Sequence, residues 1–444
     1  MKESLSDPIC SRTTPAGVSA IAAIRCSGRD ILKKIKGLLP NLRETRPRRA
    51  YLLSFIEDGN FIDEVLFTYF KGPFSYTGED VIELTFHGNP VIVQRAMEAL
   101  LSVGFREALP GEFTRRAVIN GKIDLVKAEA INAMITSKSE KALYAATRSY
   151  LGELSKETDS LRREMIEILA MIEVELNYPE EFESDYVGLN SRVEKLRTRI
   201  DDFVKISQNG ITLHQGVKTA IVGETNVGKS TLLNALLRKD RAIVSDIPGT
   251  TRDTIEEDLN ISGYLFRVVD TAGIRTTNDR IEEMGVERTM QAIDSSDLII
   301  LLNDTTTSEN CNLSNDLIKK GKRIIFVANK ADIKPVESDE YDVVISAKTG
   351  EGISKLERLM LDRTRDLTEI EAASGIIVSP RQRAKLLQSF SYLGDVLQAL
   401  EERRTIDIIG TLIEQAIRSL DEIVGRNVTD DLLETIFSEF CVGK

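Results

Sequence analysis

Val217-Lys-Thr-Ala-Ile-Val222-Gly223-Glu-Thr-Asn226-Val227-Gly228-Lys229-Ser230-Thr231 decides the fold. An apolar, β-rich run leads directly into G-x-x-x-x-G-K-[ST], and the helical pattern Thr231–Leu237 follows. A strand that delivers a glycine-rich turn to a helix N-terminus lets backbone N–H groups close around phosphate oxygens. In this reading Lys229 neutralises the β- and γ-phosphates of a nucleotide, and the Ser230 hydroxyl ligates Mg²⁺.

Three further elements follow the loop in order. Asp270-Thr271-Ala272-Gly273 ends an apolar stretch, so Asp270 can support the Mg²⁺ shell and the Gly273 N–H can sense a γ-phosphate. Asn329-Lys330-Ala331-Asp332 ends another, and a carboxylate at Asp332 accepts from guanine N1–H and N2–H₂ together. Adenine offers neither donor, and a polar site left unpaired can discriminate by ~10⁴-fold. Ser346-Ala347-Lys348 places a backbone N–H at guanine O6. Each element alone is weak; all four in sequence read as a GTP-binding domain.

Between the loop and Asp270 lies Ser245-Asp246-Ile247-Pro248-Gly249-Thr250-Thr251-Arg252-Asp253, with Thr251 the expected γ-phosphate-dependent Mg²⁺ ligand of a mobile switch. Ile274, directly after Gly273, is apolar and cannot orient a water. Arg275, Asp279, Arg280, Glu282 and Glu283 are the local polar candidates, and spacing does not choose among them.

Strand candidates Val217–Val222, Leu265–Val269, Leu298–Leu302, Ile324–Ala328 and Val343–Ile345 alternate with helical stretches, the signature of a parallel sheet. The flanks differ. Residues 1–118 read as mixed α/β, with strands at Ala20–Ile24, Glu64–Phe70 and Val81–Phe86, then a helix over Pro90–Leu101. Leu151, Leu154, Leu161, Met165, Ile168 and Ile172 form one apolar helical face, and Val193, Leu196, Ile200 and Phe203 repeat it. The acidic stretch Glu173–Asp185, broken by Pro179, reads as a loop. Helical spacing returns after Pro380 at Leu386, Phe390, Leu393 and Leu397, then at Ile406, Ile409, Ile413, Ile417 and Leu420. The expected division is 1–118 (α/β), 119–212 (first helical part), 213–376 (inserted nucleotide domain) and 377–444 (second helical part).

The chain has 444 residues with 58 Lys and Arg against 70 Asp and Glu, a net charge of −12. Such a chain is a poor general nucleic-acid coater, because non-specific binding rests on many phosphate contacts. Any nucleic-acid contact should be local or shared with a partner, and the cluster Arg43, Arg46, Arg48 and Arg49 is either such a contact or a solvated loop. No apolar run approaches the ~20 residues needed to span a bilayer, no signal peptide is apparent, and the four cysteines form no C-x-x-C pair. A reduced cytoplasmic setting is expected.

The chain resembles the MnmE (TrmE) family of tRNA-modification GTPases from end to end. The resemblance is carried by Ser245–Asp253, Asp270–Arg275, Phe440-Cys441-Val442-Gly443-Lys444, Phe74–Glu83, His87-Gly88, Pro110–Arg115, Gly121–Leu125 and Ala128–Ala130. Mild departures are Ser245 for threonine, Val442 for isoleucine, and Thr13–Ser19 in place of a glycine-rich stretch. The resemblance implies an α/β N-terminal domain that dimerises and binds folate, a central helical domain and an inserted Ras-like P-loop G domain. It also implies a cytoplasmic homodimer working with the FAD-dependent flavoprotein MnmG, in a heterotetrameric or larger complex, on the wobble uridine of tRNA. The product would carry a carboxymethylaminomethyl-type group at C5, with 5-formyl- or 5,10-methylene-tetrahydrofolate as one-carbon donor.

By the same resemblance Asn226, Ser245, Ile247 and Thr250 match potassium-binding positions, and Glu282 matches the glutamate that orients the attacking water. Arg25, Glu83 and Lys122 match folate-binding positions, with Lys444 contributing from the last residues. Cys441 is either a small core residue or a member of the folate-facing surface. Two other functions compete: a ribosome-assembly GTPase of the same broad class, and a folate-binding module whose docking GTP regulates.

Overall fold

The computed structural model describes residues 7–178, 186–239, 256–270, 290–306, 321–336, 340–368 and 378–444. The chain forms two compact units, Met1–Asn132 with Leu420–Lys444, and Ala133–Ser419.

The first unit is built on strands β1 (Ile9–Arg12), β2 (Ile21–Gly28), β3 (Ala50–Glu57), β4 (Asn60–Phe70), β5 (Asp80–His87) and β6 (Arg106–Glu107). They form one sheet in the order β3-β4-β5-β2-β1-β6. Its pairings are antiparallel except β1 with β6. Period-2 alternation puts Ile24, Phe55, Val65, Phe67, Leu84 and Phe86 in a core shared with the helices Ile31–Ile35 and Pro90–Ser102. The second helix starts where Gly88–Pro90 predicts: the Asn89 side chain accepts from the Val91 N–H, and Pro90 occupies the first turn. The other face of the sheet carries Arg25 and Glu83, which are register partners, and the cross-strand pair Leu52 and Leu66. Helix Asp430–Ser438, capped by Thr429, lays Leu433 and Phe437 with Phe440 against Leu125 and Ala128.

The second unit holds the nucleotide sheet: β7 (Val217–Gly223), β8 (Glu256–Ile261), β9 (Tyr264–Asp270), β10 (Leu298–Asp304), β11 (Arg323–Asn329) and β12 (Val343–Val344). The order is β12-β11-β10-β7-β9-β8, parallel throughout except for the β8–β9 hairpin. Strands such as Leu298–Leu302 are buried along their whole length, as a sheet covered on both faces requires. The same unit contains the long helices Glu153–Asn177, Tyr186–Gln215 and Pro380–Glu401. The last two, which precede and follow the sheet in the chain, pack together, with the Arg197 guanidinium 4.3 Å from the Phe390 ring centroid.

Two expectations need correction. Leu151 is outside the helical face and is exposed, because Gly152 adopts φ 89 and starts the helix after it; Leu154 to Ile172 are buried as expected, with Thr158 among them. The expected loop from Glu173 is helical as far as Asn177, since glutamate is a good helix former and acidity alone breaks nothing. Its remainder, 179–185, is outside the described residues. Among the described residues no helix is long and apolar enough to cross a membrane.

Candidate functional site

The phosphate loop leaves the C-terminal end of β7, a strand flanked by β10 and β9. Ligands of open α/β sheets bind at this strand end. Asn226 and Gly228 have φ 64 and φ 102, which curl the backbone into a tight turn before the helix Lys229–Lys239. Gly228 is obligatory: a Cβ there would lie 2.4 Å from Asn329 Nδ2. Gly223 is equally constrained, 2.3 Å from the Leu302 carbonyl oxygen. The Lys229 ammonium donates to the carbonyl oxygens of Gly223 and Glu224, each at 2.7 Å, so it arches back over the loop that it closes. Val227 is buried beneath the loop, while Ser230 and Thr231 are exposed in the first helical turn. A cradle closed to a Cβ at Gly223 and Gly228, at a helix N-terminus with a cation folded over it, fits a nucleotide's phosphates.

Asn329, 2 % exposed, ties this loop to the base-recognition elements. Its Nδ2 donates to the Val227 carbonyl oxygen at 2.8 Å, and its Oδ1 accepts from the Ala347 N–H at 3.0 Å. Ser346 Oγ donates to Asp332 Oδ1 at 2.7 Å, which orients the carboxylate expected to read guanine. Lys330, at φ 70, reaches Asp304. Burial pushes the Asp304 carboxyl up, but hydrogen bonds from Lys330 and Thr306 outweigh it and leave the group below its ordinary value. Lys348 is exposed at the rim. The sequence places Asn329, Lys330, Asp332, Ser346, Ala347 and Lys348 at one site, and the structure brings them together. The Asp304–Lys330 pair was not anticipated; Asp304 at the end of β10 was the available signal.

Asp270 ends β9 beside Ile221 of β7. The Asp270 side chain, Ser245, Asp246, Ile247, Pro248, Gly249, Thr250 and Thr251 lie outside the described residues, as do Thr271, Ala272, Gly273 and Glu282.

A second cluster lies in the first unit. Arg25 on β2 donates through Nε and Nη2 to Oε1 of Glu83 on β5, at 3.0 and 2.8 Å. Its guanidinium also faces the rings of Tyr76 and Phe113, 5.2 and 5.8 Å from their centroids. The last residues dock beside it. The Gly111 N–H donates to the Cys441 carbonyl oxygen and the Phe113 N–H to the main-chain oxygen of Lys444, at 3.3 and 3.1 Å. Gly443, at φ 92, allows this approach: a Cβ would stand 2.5 Å from the Arg12 carbonyl oxygen. Burial, then the nearby Arg25 charge, lowers the Lys444 pKa, while Cys441 and Glu83 push it up. Cys441 is half-buried with a free thiol.

Arg25, Glu83, Lys444 and Cys441 therefore belong to one neighbourhood. Lys122 is anchored on the loop between β4 and β5, where its Nζ donates to the Pro73 carbonyl oxygen at 2.7 Å. Among the described residues nothing donates to Glu83 Oε2, so this oxygen can take a pterin's donors while Arg25 orients the carboxylate through Oε1, and the Lys444 cation suits an anionic group. The aromatic clamp of Tyr76 and Phe113 was missed, although both residues lie inside the quoted stretches Phe74–Glu83 and Pro110–Arg115.

Two family profiles and many relatives match the chain. A family profile described as the MnmE helical domain covers residues 125–441, and one described as the GTP-binding protein TrmE N-terminus covers residues 8–122. The chain is 42% identical over 452 residues to the tRNA modification GTPase MnmE of Thermotoga sp. (strain RQ2), covering 99% of this chain and 100% of that protein. The same enzyme of Aquifex aeolicus (strain VF5) is 40% identical over 455 residues, at 99% and 100% coverage. Among solved structures, the FeoB G-domain from Methanococcus jannaschii is 25% identical, covering 33% of this chain and 96% of that chain with a TM-score of 0.26.

Proposed function

The chain belongs to the MnmE family of tRNA modification GTPases, and we propose that its GTPase works with the flavoprotein MnmG to modify C5 of the wobble uridine in tRNA. The modification is a carboxymethylaminomethyl-type group, and the proposed complex is heterotetrameric or larger and cytoplasmic. Residues 213–376 form the GTPase in this reading, residues 1–118 the folate and dimerisation domain, and residues 119–212 with 377–444 the helical part.

A tetrahydrofolate derivative, 5-formyl or 5,10-methylene, supplies a one-carbon unit when bound, and Mg²⁺ and K⁺ supply positive charge at the phosphates. The protein's own residues do the positioning. The Lys229 ammonium leaves two carbonyls for phosphate oxygens, Ser230 and Thr251 ligate Mg²⁺, and Asn226, Ser245, Ile247 and Thr250 hold K⁺. Backbone N–H groups of Val227, Gly228 and Lys229 meet the phosphate charge, and Asp332 selects guanine with a backbone N–H of the Ser346–Lys348 turn, the Ala347 N–H being held by Asn329. Glu282 orients the attacking water, and the K⁺ site is completed when two G domains meet. At the second site Glu83, held in place by Arg25, takes the pterin donors, while Lys122 and Lys444 supply cations for the anionic tail.

One observation carries the folate reading: the Arg25–Glu83 pair, its two aromatic rings and Lys444 converge on one face. Self-association is supported by the cross-strand pair Leu52 and Leu66, 61% and 49% exposed on the outer face of the sheet. Family membership sets the ribosome-assembly alternative aside. Equilibrium dialysis with 5-formyltetrahydrofolate tests the site: Glu83→Ala should weaken binding by at least about tenfold, the scale of one charged hydrogen bond. Unchanged binding would place the ligand elsewhere. Tight folate binding without GTP-dependent tRNA modification would favour the folate module regulated by GTP.

A further inference from the structure

We infer that the loop Arg43–Arg49, together with the exposed ring of Phe74, is an RNA-docking surface that delivers the tRNA anticodon to the Arg25–Glu83 site. Within a chain of net charge −12, the segment from Arg29 to Arg49 holds eight basic residues against two acidic ones. Arg43, Arg46, Arg48 and Arg49 are all exposed, and among the described residues none of them pairs with a carboxylate. With Glu44 as the one acid among residues 43–49, the four exposed guanidiniums leave a local excess of three positive charges that a polyanion can neutralise.

The loop is nonetheless fixed. The Arg46 N–H donates to the Tyr51 hydroxyl at 2.8 Å, and the Arg48 N–H to the Tyr69 carbonyl oxygen at 2.7 Å. Arg48 holds φ 61, a left-handed conformation that arginine adopts only under such constraint. The Arg49 guanidinium lies 5.8 Å from the Tyr51 ring centroid. A fixed backbone spares the cost of ordering the loop, so only the arginine side chains remain to be ordered when they meet phosphates.

RNA is favoured over other polyanions by the neighbouring aromatic. Arg48 Nη2 donates to the Phe74 carbonyl oxygen at 3.1 Å, which sets the arginines beside a phenylalanine that is 71% exposed. Guanidiniums next to an uncovered ring suit unstacked bases, which are what single-stranded RNA loops present. Phe74 also lies on the β4–β5 loop that leads into the second site: Lys122 holds the adjacent Pro73 carbonyl oxygen, and Tyr76 faces Arg25. A base stacked on Phe74 therefore sits on the loop that shapes the proposed one-carbon site. This inference rests on the tRNA reading above.

The test is fluorescence anisotropy of a labelled, unmodified anticodon stem–loop transcript with the full-length protein across a salt series. Replacing Arg43, Arg46, Arg48 and Arg49 by Gln should weaken binding at least about tenfold and flatten the salt slope by about 0.7 per lost phosphate contact. Phe74→Ala should weaken binding and leave the slope unchanged. Folate dialysis and basal GTP turnover, measured on the same variants, should hold, which separates failure of docking from failure of the folate or GTPase reading. Parental affinity and slope in the four-residue variant would overturn the proposal. So would loss confined to anionic vesicles or to an acidic protein partner with RNA binding intact.

Discussion

The Asn329 side-chain amide donates to the Val227 carbonyl oxygen across 2.8 Å, joining the end of β11 to the phosphate loop that follows β7. The same side chain accepts from Ala347, so a single buried amide sets the spacing between the phosphate cradle and the guanine-reading loop. Asn329→Ala leaves a buried carbonyl and a buried N–H unpaired, a loss of ~1–3 kcal/mol for each. Affinity for GDP should fall at least about tenfold on that basis, as read by titration with a fluorescent analogue. Parental affinity would mean that the two loops hold their spacing without it.

Gly228→Ala should abolish nucleotide binding while the protein stays folded. Its Cβ would meet Asn329 Nδ2 at 2.4 Å, and φ 102 is strained for any L side chain. Circular dichroism paired with nucleotide titration distinguishes this outcome from global unfolding; a variant that binds normally would show that the loop can reopen.

Lys229→Ala should eliminate GTP turnover. Glu282→Ala should bind GTP near normally and lose most hydrolysis, because a water-orienting group contributes to the transition state more than to ground-state affinity. Lost binding in the Glu282 variant would make that residue structural.

Arg116 is 2% exposed and donates to Glu112, Glu79 and the Asp7 carbonyl oxygen at 2.7–2.9 Å. Arg116→Ala removes one partner of a buried ion pair and should cost ~3–5 kcal/mol in denaturant unfolding of the first unit. Burial raises the Glu112 pKa, but hydrogen bonds from Arg106, the Leu109 N–H and Arg116 overcome it and leave it lowered. A lowered carboxylate contributes stability above its unfolded pKa and loses it as the pH falls through the folded value. The parent should therefore lose stability on acidification below about 4.5, and a parent with flat stability there would contradict the assignment.

Lys444 gives a signature for ligand binding. Its ammonium is disfavoured by burial, so the fold carries a cost that is relieved as the pH rises from the lowered folded pKa towards the ordinary lysine value. An anionic folate tail should favour the ammonium and draw a proton onto it. Calorimetry in buffers of different ionisation enthalpy should find proton uptake on binding at alkaline pH, and Lys444→Met should abolish that uptake. Equal uptake in the variant would remove Lys444 from the site.

How much the sequence discloses depends on what a residue must do locally. Gly223, Gly228, Lys229, Asn329 and Ser346 are legible because backbone closure around phosphate and base edges demands those residues at fixed strand ends. The apolar strand Leu298–Leu302 is legible because both of its faces are buried. Edge strand β8 begins Glu256-Glu-Asp258 and offers no apolar run, and β1 and β6 are too short to carry a period. The clamp of Tyr76 and Phe113 around Arg25 joins residues far apart in the chain, and only tertiary structure unites them. Leu151 was lost from its helix by one glycine, which no periodicity records.

GTP turnover of the purified protein in KCl and in NaCl, at matched ionic strength, separates a bound cation from a protein cation in catalysis. Fast hydrolysis in K⁺ and little in Na⁺ is predicted, because a bound cation between phosphates and switch supplies the charge that an arginine supplies elsewhere. Equal, appreciable rates in both salts would contradict it and move the catalytic charge to a protein cation such as Arg275.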